Sequence, residues 1–67
     1  MTPDEIFELI VKADERLKYA SDANADQRRR QARELLTRAR EAAREIGNDG
    51  LASQAQTRLA DLDPASG

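Results

Sequence analysis

Hydrophobic residues in this chain recur at intervals of three and four along three separate stretches, which is the spacing of one face of an α-helix. The clearest stripe lies in residues 31–46 and consists of Ala32, Leu35, Leu36, Ala39, Ala42, Ala43 and Ile46. A protein helix gains most of its stability by packing its apolar face, so each stripe needs a partner. Short polar segments join the three stretches. The pattern therefore predicts an all-α fold, an antiparallel three-helix bundle.

Capping residues set the limits of the predicted helices. Thr2 and Glu5 have the spacing of a capping box, and Pro3 suits the first position of a helix. Asn24, together with Gln27, is the preferred cap of the second helix, and Ser21 or Asp22 is the alternative that would start it one turn earlier. The predicted helices are residues 3–20, 25–46 and 50–62.

The end of the second helix is also marked in the sequence. Gly47 stands where a left-handed residue commonly ends a helix, and Asn48 or Asp49 can cap the third helix. Pro64 stops the third helix. We therefore expect one domain over residues 1–64, followed by a disordered tail at residues 65–67.

Ten large aliphatic residues on the three stripes are predicted to form the main core: Ile6, Leu9, Ile10, Leu17, Leu35, Leu36, Ile46, Leu51, Leu59 and Leu62. Phe7 and Val11 lie beside the first stripe. They either cover the open side of the bundle next to the third helix, or form a dimer seam or a docking site for a partner helix. Tyr19 lies nearly opposite the stripe, with its hydroxyl expected in water. A core of this size is small, so we expect low stability or a dimer.

The composition removes several kinds of chemistry. The 67 residues include no cysteine and no histidine, so disulfides, thiolate metal sites and the commonest metal ligand and general base are absent. Carboxylate pairs such as Glu41 with Glu45 need a pocket that shifts their pKa values, and a thin bundle has no room for one. We therefore expect a protein that is not an enzyme and holds no cofactor or metal.

The sequence also bears on location. No apolar run approaches the roughly 20 residues that span a bilayer, and residues 1–7 are acidic rather than signal-like. With the lack of cysteine, this fits a cytoplasmic protein without a membrane partner. Nine arginines against two lysines favour a GC-rich bacterial source.

Charge is unevenly distributed, although the net charge is only −2. Residues 1–25 have a net charge of −3, residues 26–46 of +3, and residues 47–67 of −2. One line along the second helix is basic and consists of Arg29, Arg33, Arg40 and Arg44. We name these four residues the arginine row.

Three interpretations of the arginine row are open. It can be a solvated flank that pairs with acids of the other helices, namely Glu8, Asp14, Glu15 and Asp61. It can bind an acidic protein partner, or it can bind phosphate groups of nucleic acid or another anion. The acidic net charge and the lack of aromatic residues between the arginines argue against nucleic acid.

A segment before the second helix carries a partial calcium-loop pattern. Asp22, Asn24 and Asp26 have the spacing of the first three ligands of such a loop. The position that should be glycine is Gln27, and the closing acid is replaced by Arg33. We therefore interpret the segment as a turn made of helix-capping residues.

Residues 31–64 combine a leucine–alanine stripe, a glycine-polar turn and a Leu-Asp-Pro ending. Gly47 lies at the turn, Ala52 where two helices would cross, and residues 62–64 at the ending. In these features the segment resembles a single tetratricopeptide-repeat hairpin. The aromatic positions of that family are absent from it, and about three repeats are needed to form a groove. The resemblance implies a protein-interaction hairpin and transfers no peptide-binding residues.

The sequence as a whole predicts a non-catalytic protein-interaction or assembly module, whose partner is another protein or a second copy of the chain. The candidate partner-binding residues are Arg29, Arg33, Arg40, Arg44, Phe7 and Val11. Two alternatives stay open. One is an anion or nucleic-acid binder that uses the arginines of the second helix, and the other is a designed helical bundle without a biological function.

Overall fold

The computed structural model describes residues 1–62, which form three α-helices. They are α1 (Pro3–Lys18), α2 (Ala25–Glu45) and α3 (Asp49–Leu62). The predicted all-α three-helix fold is confirmed, and both ends of α1 and α2 and the start of α3 lie within two residues of their predicted positions. Both α1 and α3 pack closely on α2, and they touch each other at few points. The predicted stop at Pro64 and the tail at residues 65–67 lie outside the described residues.

The start of α1 is the predicted capping box. The Thr2 hydroxyl accepts a hydrogen bond from the Glu5 backbone N–H at 3.3 Å, and Glu5 Oε1 accepts one from the Thr2 backbone N–H at 2.9 Å. These bonds satisfy N–H groups that have no partner within the helix. Hydrogen bonding to Thr2, first through its backbone and then through its side chain, lowers the pKa of Glu5 below its usual value.

The connection from α1 to α2 differs from the prediction in one hydrogen bond. Asn24 is the N-cap residue of α2, but its side chain makes no capping bond to that helix. Its Oδ1 instead accepts a hydrogen bond from the Ser21 backbone N–H at 2.7 Å. The predicted cap formed by Asn24 with Gln27 is therefore wrong, because the side chain of Asn24 closes the turn before the helix.

The turn from α2 to α3 is the one predicted. Gly47 has a φ of 71°, which is strained for residues that carry a Cβ. The Asn48 N–H donates to the Ala43 carbonyl at 2.8 Å and the Gly47 N–H to the Arg44 carbonyl at 3.1 Å, so the helix ends in a Schellman motif. Asn48 Oδ1 then accepts a hydrogen bond from the Leu51 N–H at 3.1 Å and caps α3.

The core lies where α1 and α3 meet α2. Its fully buried large side chains are Ile6, Ile10 and Leu36. Fully buried alanines allow the helix backbones to approach closely, and they are Ala13, Ala32, Ala39, Ala43 and Ala55. Leu9 is also buried, and the other predicted core leucines are partly buried against this cluster: Leu17, Leu35, Leu51, Leu59 and Leu62. The stripes therefore form the core, with one exception.

The exception is Ile46, which is 43% exposed. It is the C-cap residue of α2, one position beyond the last helical residue. It is followed directly by Gly47, where the chain turns toward α3. The last position of the α2 stripe therefore lies at the turn, where few atoms cover it. The prediction that Ile46 belongs to the core is wrong.

Candidate interaction surfaces

The arginine row follows the solvent side of α2 for most of its length. Arg29, Arg33 and Arg44 are exposed, and Arg40 is half-buried. At a rise of 1.5 Å per residue, the row extends over about 22 Å. It is therefore a long and narrow basic surface on a rigid element.

Ion pairing within the molecule does not account for the row. Within residues 1–62, one side-chain ion pair is present, and it joins Arg58 Nε to Asp14 Oδ1 at 3.0 Å. Asp14 thus pairs with a side chain of α3 rather than with one of α2. The other acids expected to pair with the row, Glu8, Glu15 and Asp61, are exposed. For this part of the chain, the predicted pairing of the row with these acids is therefore wrong, whereas the exposure of Arg29, Arg33 and Arg44 agrees with a solvated flank.

One member of the row is bound to α3. Arg40 Nη1 donates to Gln56 Oε1 at 2.7 Å, and Arg40 Nε is buried without a hydrogen-bond partner among the described residues. Ser53 and Ala60 lie three residues before and four residues after Gln56, so they share its side of α3, and both are exposed. The row therefore borders an exposed side of α3 that carries Ser53, Gln56 and Ala60. We name the surface formed by the row and these three residues the outer face.

Beyond the row, the surface of α2 carries both signs of charge. An open surface of this helix is lined by Arg33, Glu34, Thr37, Arg38 and Glu41. Its two carboxylates limit the purely basic surface to the row itself. Residues 1–62 contain no cluster of three or more acidic, histidine or cysteine side chains placed to hold a metal ion.

Phe7 and Val11 form a second candidate surface, on α1. They are 50% and 37% exposed, so each is partly covered and keeps apolar surface in contact with water. They are four residues apart and therefore lie on one side of the helix. In one molecule they are separate from the arginine row, which lies on α2 and contacts α3 through Arg40.

The sequence reasoning missed a third surface, which consists of acidic side chains on α1. Asp4, Glu8 and Glu15 are exposed and lie on the side of α1 opposite to its buried stripe. We name these residues the acidic row. The signal that reveals it is the spacing of four and then seven residues, once the buried side of α1 is known.

Comparisons with known proteins give no assignment. No protein-family model matches this chain, and neither the curated proteins nor the solved structures contain a match. Among residues 1–62, none of the helices combines the length and the apolar character needed to cross a bilayer. The function is therefore inferred from the surfaces described above.

Proposed function

We propose that this chain is a non-catalytic protein-interaction module that binds an acidic protein segment along the arginine row. The observation that carries the proposal is the state of Arg29, Arg33 and Arg44, which are exposed and have no ion-pair partner within residues 1–62. A guanidinium group forms strong hydrogen bonds with carboxylates, often two in parallel. A row of such groups on one helix suits a partner whose acidic side chains are regularly spaced.

The width of the basic surface favours a protein segment over nucleic acid. Glu34 and Glu41 lie next to the row, so a broad polyphosphate would meet negative charge. Nucleic-acid surfaces usually combine wide positive charge with aromatic residues that stack on bases. The aromatic residues of this chain are Phe7 and Tyr19, and neither is on α2.

The hairpin of α2 and α3 supports the same proposal. Ala39, Ala43 and Ala55 are fully buried, and small residues of this kind let two helices lie close together. We propose that the hairpin acts in the way implied by its resemblance to tetratricopeptide repeats, as a rigid platform for a protein partner. The platform presents the arginine row along its outer edge.

Titration with a fluorescent helical peptide tests the proposal, provided that the peptide carries glutamates in one row. Arg33→Gln/Arg44→Gln removes two charges from the arginine row. Arg30→Gln/Arg38→Gln is the matched control, because it removes two exposed arginine charges from other sides of α2. We expect the row variant to weaken binding about tenfold and the control to change it less than about twofold.

Salt and polyanions complete this test. Added salt should weaken peptide binding, because exposed charges are screened. An equal loss of affinity in both variants would contradict the proposal, since the peptide would then respond only to net charge. Tighter binding to heparin or DNA than to the peptide would favour the anion or nucleic-acid alternative.

A further inference from the structure

The acidic row of α1 and the arginine row of α2 have the same spacing in opposite directions. Of the five exposed acids of α1, the three that lie opposite its buried side are separated by four and then seven residues: Asp4, Glu8 and Glu15. Read from the C-terminal end of α2, three members of the arginine row are separated in the same way: Arg44, Arg40 and Arg33. Two helices that pack antiparallel bring equally spaced residues face to face. One register therefore places all three acids opposite arginines.

We propose that the acidic segment bound by the arginine row is α1 of a second copy of this chain, lying antiparallel to α2 along the outer face. In this register Asp4, Glu8 and Glu15 of one copy meet Arg44, Arg40 and Arg33 of its neighbour. The inference rests on the proposed function, because it assigns an occupant to the same row. The complementarity of charge and spacing identifies that occupant.

The same register gives the exposed apolar residues of α1 a surface to cover. Val11 lies opposite Thr37, between the outer ion pairs. Phe7 projects from the side of α1 that turns toward the neighbour's α3, over Ser53 and Gln56. Phe7 and Val11 are 50% and 37% exposed in the single molecule, so their burial adds apolar area to the contact. This register thus brings the arginine row and the pair Phe7 and Val11 into one contact, although they lie on separate surfaces of a single molecule.

The contact forms between copies and not within one chain. The acidic row lies opposite the side of α1 that is buried against the rest of the molecule through Ile6, Ile10 and Ala13. It therefore faces away from its own α2. Each copy carries both rows on different surfaces, so it can insert α1 into one neighbour and accept α1 from another. Such heterologous contacts extend into chains or close into rings.

The proposed contact is weak because it is small and its ion pairs are exposed. It covers about three turns of one helix. The area that it buries is therefore smaller than the roughly 800 Å² per partner of a standard stable interface. Its ion pairs are exposed at the rim, where each contributes little and salt screens it. We therefore expect association at high protein concentration and low salt.

Analytical ultracentrifugation of the full chain tests the inference. The average mass should rise above the 7.5 kDa of the monomer as the concentration increases from micromolar to millimolar in low salt, and it should return to that value in high salt. Arg33→Glu/Arg44→Glu should weaken association about tenfold or more. Arg30→Glu/Arg38→Glu makes the same change of charge at residues outside the proposed contact, so this variant should associate as the unsubstituted chain does.

A mixing experiment examines the register directly. Asp4→Lys/Glu15→Lys should also prevent association, and an equimolar mixture with Arg33→Glu/Arg44→Glu should restore it, since each reversed row then meets a complementary one. Circular dichroism shows whether each variant is folded. If Asp4→Lys destabilises α1, a mixture of the single variants Glu15→Lys and Arg33→Glu repeats the test at residues outside the capping box.

Three results would overturn the inference. They are a monomer at every concentration in low salt, association that both row variants retain, and a mixture that stays monomeric although both variants are folded. A monomer that still binds the acidic peptide through the arginine row would contradict this inference alone. A monomer that does not bind the peptide would contradict the proposed function as well.

Discussion

Arg58 of α3 donates through its Nε to both carboxylate oxygens of Asp14 in α1, at 3.0 and 3.2 Å. This pair links two helices that otherwise touch at few points. The two side chains are 35% and 49% exposed, so water weakens their attraction. The pair positions α3 beside α1 more than it stabilises the fold.

A double-mutant cycle with Arg58→Ala and Asp14→Ala measures this link. We expect a coupling energy of about 0.2–1 kcal/mol in urea unfolding, because exposed ion pairs fall in that range. The coupling should decrease in high salt. A coupling that is unchanged by salt would show that the two side chains interact through packing rather than through charge.

The two glycines near the α2–α3 turn should respond to alanine in opposite directions. Gly47 has a φ of +71°, so Gly47→Ala should lower the free energy of unfolding by about 1–2 kcal/mol, although no atom lies within 4 Å of the added Cβ. Gly50 lies in α3, and its Cβ would meet Asn48 Oδ1 at an ordinary 3.6 Å. Gly50→Ala should raise the stability by about 0.4–1 kcal/mol. Thermal unfolding of both variants checks the prediction, and effects of the same sign would contradict it.

Replacing two residues of the α2 stripe by alanine should lower the free energy of unfolding by very different amounts. Leu36 is fully buried, so Leu36→Ala should cost about 2–5 kcal/mol, or abolish the cooperative transition of this small domain. Ile46 is 43% exposed, so Ile46→Ala should cost less than about 1 kcal/mol. Chemical denaturation of the two variants makes the comparison. Similar losses in both would mean that Ile46 is buried in solution.

The capping box predicts that the stability of α1 depends on pH in the acidic range. The pKa of Glu5 is lowered in the folded chain by hydrogen bonding to Thr2. Its contribution to stability is therefore present above the usual pKa of glutamate and is lost as the pH falls through the lowered value. Thr2→Ala keeps the backbone N–H that is the larger cause of the lowered pKa, so it should raise the pKa of Glu5 only in part. Loss of the capping hydroxyl should destabilise α1 by about 1 kcal/mol.

An NMR titration of the Glu5 carboxyl group in both proteins measures this shift. Glu5→Gln serves as the control, since it cannot titrate at this position and should reduce the change in stability between neutral and acidic pH. A pKa of Glu5 at the usual glutamate value in the unsubstituted protein would contradict the role assigned to the box.

Local patterns in the sequence were sufficient to place the three helices, with both ends of α1 and α2 and the start of α3 within two residues. The capping box of Thr2 and Glu5 and the left-handed turn at Gly47 depend on hydrogen bonds between residues close in the chain. The spacing of apolar residues likewise identified which side of each helix is buried. The arginine row could be recognised for the same reason, because its members share one line of a single helix.

Tertiary structure alone decided what these sides meet. At the turn after α2 few atoms cover Ile46, and the packing of α3 directs Arg58 to Asp14 and Arg40 to Gln56. Even Asn24, correctly placed before α2, bonds to Ser21 instead of capping the helix. Periodicity along one helix contains no information about how far a neighbouring helix extends or which polar group it brings within reach. That information comes only from the packing of α1 and α3 against α2, which leaves the arginine and acidic rows on the surface.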